Sequence, residues 1–425
     1  MKRLLLVLPV LLANLGIAAC EDVAAPKNTV TTDSGLAADL AGGTHGPTSK
    51  DQCKNGQWKV SGFTNQGQCV RFDPPWGIFT MVSAGGVYHT CGLTAAGATY
   101  CWGSNSSGAL GDVPVQQFTP AVVPGSPTFT AVSAAYVHTC GLTAAGAAYC
   151  WGDNFVGALG DGTTTSRSTP ALVAGDLSFA HLSAGSSYTC GLTAAGAAYC
   201  WGNNANGQLG EGTTTNQLIP VLVAGGLSFA AVSAGSDRTC GVTTTGVAYC
   251  WGDNSYGQLG DGTTTSRSTP VPVAGGLSFA EVSSGWITTC GRTAAGAAYC
   301  WGENSVGQLG DGTNVNRSTP ALVAGGLSFA AISTGIHFTC GVTAVGVTYC
   351  WGLNANGQLG DGTNIDRSTP VLVAGGLGFA AVNAGPNHAC GVTTTGVAYC
   401  WGANEGGQLG DGTQTDRTAP VRVAP

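Results

Sequence analysis

A single unit of sequence recurs seven times between Phe79 and Pro425, with a period of fifty residues. One copy runs Phe229-Ala-Ala-Val-Ser-Ala-Gly, then Thr239-Cys-Gly-Val-Thr, a small turn, Ala248-Tyr-Cys-Trp-Gly, Gly257-Gln-Leu-Gly-Asp-Gly and Pro270-Val-Pro-Val-Ala-Gly. A fixed period of this length belongs to solenoids, propellers and arrays, since one unit cannot bury its apolar face alone. Each copy holds four short apolar runs separated by Gly-rich turns, with nothing of helical period between them, and reads as four strands. Four consecutive strands per unit match one propeller blade. The expected fold is all-β, a seven-bladed β-propeller of four-stranded antiparallel blades over residues 76–425. Charged residues make up only 9% of the chain and apolar ones 43%, so disorder is excluded and the 69 glycines must serve turns and close backbone contacts.

The central hairpin of a unit can be laid out residue by residue. In Thr139-Cys-Gly-Leu-Thr-Ala-Ala-Gly-Ala-Ala-Tyr-Cys150, Gly146 suits the left-handed position of a three-residue turn with a bulge. Pairing then runs Thr143 with Ala147, Leu142 with Ala148, Gly141 with Tyr149, and Cys140 with Cys150. Alternation makes the cysteine pair a non-hydrogen-bonded one, with Cα atoms roughly 4.5 Å apart. That lies at the short end of disulfide geometry. Cys140 shares a face with Leu142, which turns the bridge towards the core.

Seventeen cysteines fit this scheme. Seven pairs share one spacing: Cys91–Cys101, Cys140–Cys150, Cys190–Cys200, Cys240–Cys250, Cys290–Cys300, Cys340–Cys350 and Cys390–Cys400. Even numbers at fixed spacing in an exported chain read as disulfides. A metal site built on His138-Thr-Cys140 is not expected, because most units lack the histidine. Cys53 and Cys69 bound a segment over 51–75 that reads as a disulfide-bounded N-terminal hairpin, and residues 20–50 read as a flexible tether.

Residues 1–19 have the form of an export signal: Lys2 and Arg3, an apolar stretch from Leu4 to Leu12, then small residues. Ile17-Ala-Ala-Cys20 resembles the lipobox of bacterial lipoproteins, which implies lipidation of Cys20 after cleavage. An ordinary cleaved signal with an incidental cysteine is the alternative. Glu21 differs from the aspartate that the resemblance associates with inner-membrane retention, so a lipid anchor in the outer membrane is expected, on its periplasmic or surface face.

Within the repeats, Ala-Gly-x-x-His-Thr-Cys-Gly-Leu-Thr followed by Tyr-Cys-Trp-Gly-x-Asn-x-x-Gly-Gln-Leu-Gly resembles the regulator of chromosome condensation (alpha-tubulin suppressor-like) repeat. That resemblance implies a seven-bladed propeller. The Trp-Gly position is held by Trp102, Trp151, Trp201, Trp251, Trp301, Trp351 and Trp401. The motif histidine survives at His89, His138 and His388, and is replaced by Tyr188, Arg238, Thr288 and Phe338. Closure of the ring could draw on Val421-Arg-Val423 or on Val70-Arg-Phe72.

Connections in an up-and-down blade alternate between its two ends. One end collects the hairpin turn and the Ala-Gly-Gly-Leu-Ser link, and it repeats nearly unchanged. The other collects the segment after Ser-Ala-Gly and the long segment after Trp-Gly, and it differs in every unit. Variable loops on a constant framework are where binding residues sit. Candidate binding residues on this face are Tyr88, Tyr136, Phe155, Tyr188, Arg238, Tyr256, Trp286, Ile287, His337, Phe338 and Asn387. Filling the space between blades is the alternative role, above all at the motif-histidine positions. Trp286 stands out as the one tryptophan of the repeats outside the Trp-Gly position.

The recurrent Asp-Gly-Thr at Asp161, Asp261, Asp311, Asp361 and Asp411 lacks the ligand spacing of an EF-hand, so turn formation is expected, with an ion pair to the arginine six residues on. No metal and no cofactor is expected. The chain has no phosphate loop of the Gly-Lys-Ser/Thr kind and no zinc-binding helix motif. After loss of residues 1–19 it would carry 13 basic against 22 acidic residues, which argues against nucleic acid. A non-enzymatic binding scaffold on the cell envelope is expected, monomeric, recognising a protein or glycan and touching the membrane only through its lipid. A secreted bacterial β-lactamase inhibitor of the same propeller type is similar in setting. Exchange-factor activity, by family analogy, and an enzyme with its site in the central pocket remain the alternatives.

Overall fold

The computed structural model describes residues 78–86, 88–113 and 116–424. The export signal, the tether, Cys20 and the Cys53–Cys69 hairpin lie outside the described residues. Within them the chain forms seven four-stranded antiparallel sheets and no helix. In the fourth blade, strand a is Phe229–Ala234, b is Arg238–Thr243, c is Ala248–Gly252 and d is Arg267–Pro272. Every blade runs a-b-c-d in chain order, so each sheet is drawn from one stretch of sequence.

The hairpin register is the one that the turn chemistry dictates. Leu142 faces Ala148, Gly141 faces Tyr149 and Cys140 faces Cys150. Gly146 has φ +81°, a left-handed conformation that a Cβ would oppose. All seven hairpin disulfides form, with Cα atoms 4.0–4.1 Å apart. Their sulfur-bearing residues are buried, as the shared face with Leu142 requires.

Apolar packing is organised by junction rather than by blade. One cluster unites Cys240, Val242, Ala248, Cys250 and Leu259 of the fourth blade with Phe279, Val282 and Trp301 of the fifth. The disulfide of each blade thus forms the floor on which the next blade's Phe and Trp rest. A second device acts at the backbone: every junction keeps at least one side-chain donor to a carbonyl of the preceding blade, and three of the seven keep both an indole and a hydroxyl. Trp201 Nε1 and Thr189 Oγ1 both donate to the carbonyl of Ala158 in the preceding blade, at 3.0 Å each.

The ring closes by repeating this contact. Trp102 Nε1 and Thr90 Oγ1 of the first blade donate to the Gln408 carbonyl of the seventh, at 2.9 Å each. Phe79, Val82 and Trp102 pack with Cys390, Cys400 and Val423. The last strand, Arg417–Arg422, pairs only with strand c of its own blade, so the Val421 segment closes the ring by packing and not by exchanging a strand. The Val70 segment lies outside the described residues.

Each junction core contains one disulfide, so removing one should loosen one joint of the ring. Cys240→Ser with Cys250→Ser is expected to cost roughly 2–3 kcal/mol of stability in a denaturant melt. The oxidised native protein should show none of these fourteen cysteines as reactive thiols; a titration that finds them free would contradict the framework.

Candidate binding face

The a–b and c–d loops meet on one rim: the Asp253 amide donates to the Asp237 carbonyl at 2.9 Å, and Asp153 to Val137 at 3.0 Å. The c–d loops on this rim are internally braced. In the fourth blade the buried Asn254 accepts from the Leu259 amide at 2.9 Å and donates to the carbonyls of Thr263 and Thr265. Asp261 accepts from the Thr263 amide and hydroxyl, at 2.9 and 2.7 Å, and from Arg267 at 3.3 Å. Burial pushes the Asp261 carboxyl up, but these hydrogen bonds outweigh it and hold the pKa below its ordinary value. The same aspartate–arginine pair recurs at Asp161, Asp311, Asp361 and Asp411. These carboxylates are brackets of the loop, as the turn reading of Asp-Gly-Thr implies.

The a–b loops ring the axis. Around a cavity of about 110 Å³ they place small residues such as Ala84, Gly185, Ser236 and Thr334, together with Tyr136, Trp286, Ile336 and Pro386. Neighbouring loops are laced by backbone bonds: Ser236 N–H donates to Gly285 at 3.2 Å and Trp286 N–H to Gly335 at 3.1 Å. A Cβ on Gly285 would lie 2.2 Å from the Gly335 carbonyl oxygen, which is why Gly is required at this close approach. Tyr136 belongs to the second blade and Trp286 to the fifth, nearly opposite in a ring of seven. Their rings nevertheless meet, with centroids 5.5 Å apart and planes tilted by 57°. The two aromatics reach towards one another across the axis.

Tyr88, Tyr136, Phe155 and Tyr256 are exposed, Phe155 the most at 77%. Trp286, Ile287, His337 and Asn387 are half-buried on the same face. Tyr88 and Tyr136 also line one groove between the first two blades. Three of the candidates fall elsewhere. Tyr188, Arg238 and Phe338 are buried at the junctions, because the first residue of strand b points between blades and not out of the rim. Tyr188 donates its phenol proton to the Arg238 carbonyl and accepts from Thr239 at 3.0 Å; burial pushes its pKa up.

Arg238 has a positioning role. Its Nε donates to Thr289 Oγ1 at 2.9 Å, Nη1 to the Trp286 carbonyl at 2.8 Å, and Nη2 to the Thr288 carbonyl. Burial lowers its pKa to about 10, against the opposing fields of Tyr188, Asp253 and Asp237, so it stays charged at neutral pH. A buried cation therefore pins the loop that carries Trp286. Glu303, which the sequence reading missed, is buried with Oε2 3.8 Å from His337 Nδ1. Its signal was the residue after Trp-Gly, which takes six identities over the seven units: Ser104, Asp153, Asn203, Asp253, Glu303, Leu353 and Ala403.

The motif histidines are bolts between blades. His138 Nε2 lies 2.8 Å from Thr189 Oγ1, and His388 Nε2 lies 2.8 Å from Thr90 Oγ1. Burial lowers the pKa of His89 to about 4; burial, then the field of His89, lowers His138 and His388 to about 3.

Residues 53–382 match the family model described as the RCC1-like domain, and residues 379–408 and 395–425 match models of the regulator of chromosome condensation repeat. No curated protein matches the chain. Among solved structures, human WBSCR16 is similar at 21% identity and TM-score 0.70, covering 77% of this chain and 94% of its own. Prp20p of Saccharomyces cerevisiae, studied for its binding to Gsp1p and histones, is similar at 22% identity and TM-score 0.70, covering 82% and 88%. The ectodomain of the Physcomitrella patens receptor kinase CR4 is similar at 24% identity and TM-score 0.50, covering 76% and 72%. At these identities the likeness concerns the fold.

Because the three histidines are neutral when folded and take up protons when unfolded, their contribution is present above pH 6.5. It is lost as pH falls towards about 4 and then about 3. Each should cost roughly 2 kcal/mol at pH 5. Phe338 fills the equivalent position in the sixth blade, so His138→Phe should keep the fold and flatten the pH dependence of the melting temperature. An unchanged slope would contradict the assignment.

Proposed function

The chain belongs to the regulator of chromosome condensation repeat family, and from that premise we propose that it is a non-enzymatic scaffold that binds a protein partner on its variable rim. The observation that carries this reading is the Tyr136–Trp286 pair over the axis, held on loops whose backbone is already fixed. Aromatic side chains on pre-ordered loops supply contact area without a large entropy cost on binding. The axial cavity is lined by small, apolar, hydroxyl and aromatic residues, and the buried histidines are spent on joining blades. That chemistry suits capture more than acid–base catalysis. A glycan is the second ligand class compatible with exposed tyrosine and tryptophan faces.

The proposed setting is the cell envelope, with Cys20 as lipid anchor. The described chain enters at Ile78, beside the Gly396 turn, and leaves through the end of the last strand. Both points lie on the constant rim, opposite the proposed binding face.

The double variant Trp286→Ala with Tyr136→Ala should keep its melting temperature within a few degrees while capture from a native envelope extract falls about tenfold or more. Undiminished capture by a folded double variant would overturn the assignment of this face. Turnover on a hydrolase panel would instead favour an enzyme, and accelerated nucleotide release from a GTPase would favour an exchange factor.

A further inference from the structure

The charge of the ring is distributed very unevenly between its rims. Among the described residues the variable rim holds fourteen carboxylates and six arginines, a net charge of −8. The constant rim holds Asp176, Glu281, Arg292 and Arg422, which sum to zero. Five of the six variable-rim arginines are tied to the loop aspartates at 2.6–3.3 Å, and the sixth, Arg238, is buried. The basic groups of this rim are therefore committed to the framework, while carboxylates such as Asp366, Glu405 and Asp416 stand exposed.

At the centre of the acidic rim stands the aromatic pair. Trp286 and Tyr136 line the axial cavity together with Ser236, whose hydroxyl donates to Asp237 at 3.0 Å. Two rings tilted by 57° form a notch instead of a closed stack. Aromatic faces attract a cation through their quadrupoles, and a surrounding field of carboxylates raises its local concentration. The alanines and glycines of the cavity offer an apolar wall for a methylene stem.

We propose that the axial mouth is a recognition site for a basic side chain, an arginine or lysine presented by the protein partner. This rests on the binding reading of the same rim and adds to it the chemistry of the residue that is held. The guanidinium or ammonium would sit against Trp286 and Tyr136, with Asp237 as the one carboxylate of the described a–b loops, and the outer acids would steer a basic segment towards the axis.

Calorimetry on the full chain, with hexaarginine and hexaglutamate as probes, tests this. Hexaarginine should bind and hexaglutamate should not, and raising salt from about 50 mM to about 300 mM should weaken the binding several-fold. Trp286→Ala with Tyr136→Ala should weaken hexaarginine about tenfold. Trp286→Phe, which keeps an aromatic face, should retain more affinity than Trp286→Ala, and Asp237→Asn should lose a few-fold. Equal binding by the folded double variant would mean diffuse adsorption to an acidic rim and would overturn the site. So would an absence of hexaarginine binding. If the double variant loses its native partner while hexaarginine neither binds nor competes, the binding face stands and the basic-residue proposal falls.

Discussion

Everything in this ring depends on the blade junction, where a tryptophan indole, a threonine hydroxyl or both donate to a single carbonyl of the preceding blade. At the closing junction these are Trp102 and Thr90 on Gln408. Where both are present, two donors on one acceptor fix the spacing and the angle of adjacent blades, since a carbonyl oxygen has two lone pairs to satisfy. The apolar half of the joint lies beside it, where the disulfide of one blade meets the Phe and Trp of the next. A similar angle repeated seven times closes a circle, and the first and last blades then meet with the same double contact as the first and second and the second and third. That is why no strand has to cross from one end of the chain to the other.

A closed ring with internally braced loops also decides what can vary. The c–d loops spend Asn254, Asp261 and Arg267 on themselves, and the a–b loops are laced to one another through backbone bonds. Side chains that take no part in this lacing can change without affecting closure. They are the exposed Tyr88, Phe155 and Tyr256, and the axial pair. On the other rim the turn glycines and link residues are themselves the structure, so the repeats stay uniform there.

Much of this was legible in the sequence, and the failures have a common geometry. The hairpin register, the disulfide pairs and the seven blades follow from turn chemistry and period, both local. Position along the chain also separated the two rims correctly. It could not say which way each residue of a variable loop points. Tyr188, Arg238 and Phe338 vary between units as Tyr136 does, yet they begin strand b and turn into the junction. There variation reflects alternative ways to fill one gap, whether by imidazole to threonine, phenol to carbonyl, or a bare aromatic ring. Ring closure was illegible for the opposite reason, because it depends on Trp and Thr, which are identical in most units and so single out no pair of blades. Not every junction keeps both donors: before the last blade Ala389 leaves only the Trp401 bond to Gln358, and the indoles of Trp251, Trp301 and Trp351 leave the threonine hydroxyl to make the bond alone.

The most instructive of these gap-fillers is Arg238. Burying a guanidinium is costly unless its donors are met, and an apolar residue fills the same gap in the sixth blade. Stability of the junction alone therefore does not call for a cation there. What the arginine adds is a set of three bonds, to Thr289, Thr288 and the carbonyl of Trp286, that no phenylalanine could make. Asp237 and Asp253 offset its charge from the rim side. The one buried cation of the described ring thus lies under the loop that carries Trp286 to the axis. Cost at a joint is exchanged for position at the site: the indole is held where Tyr136 can meet it, and any ligand that engages the pair finds one of its two faces already in place.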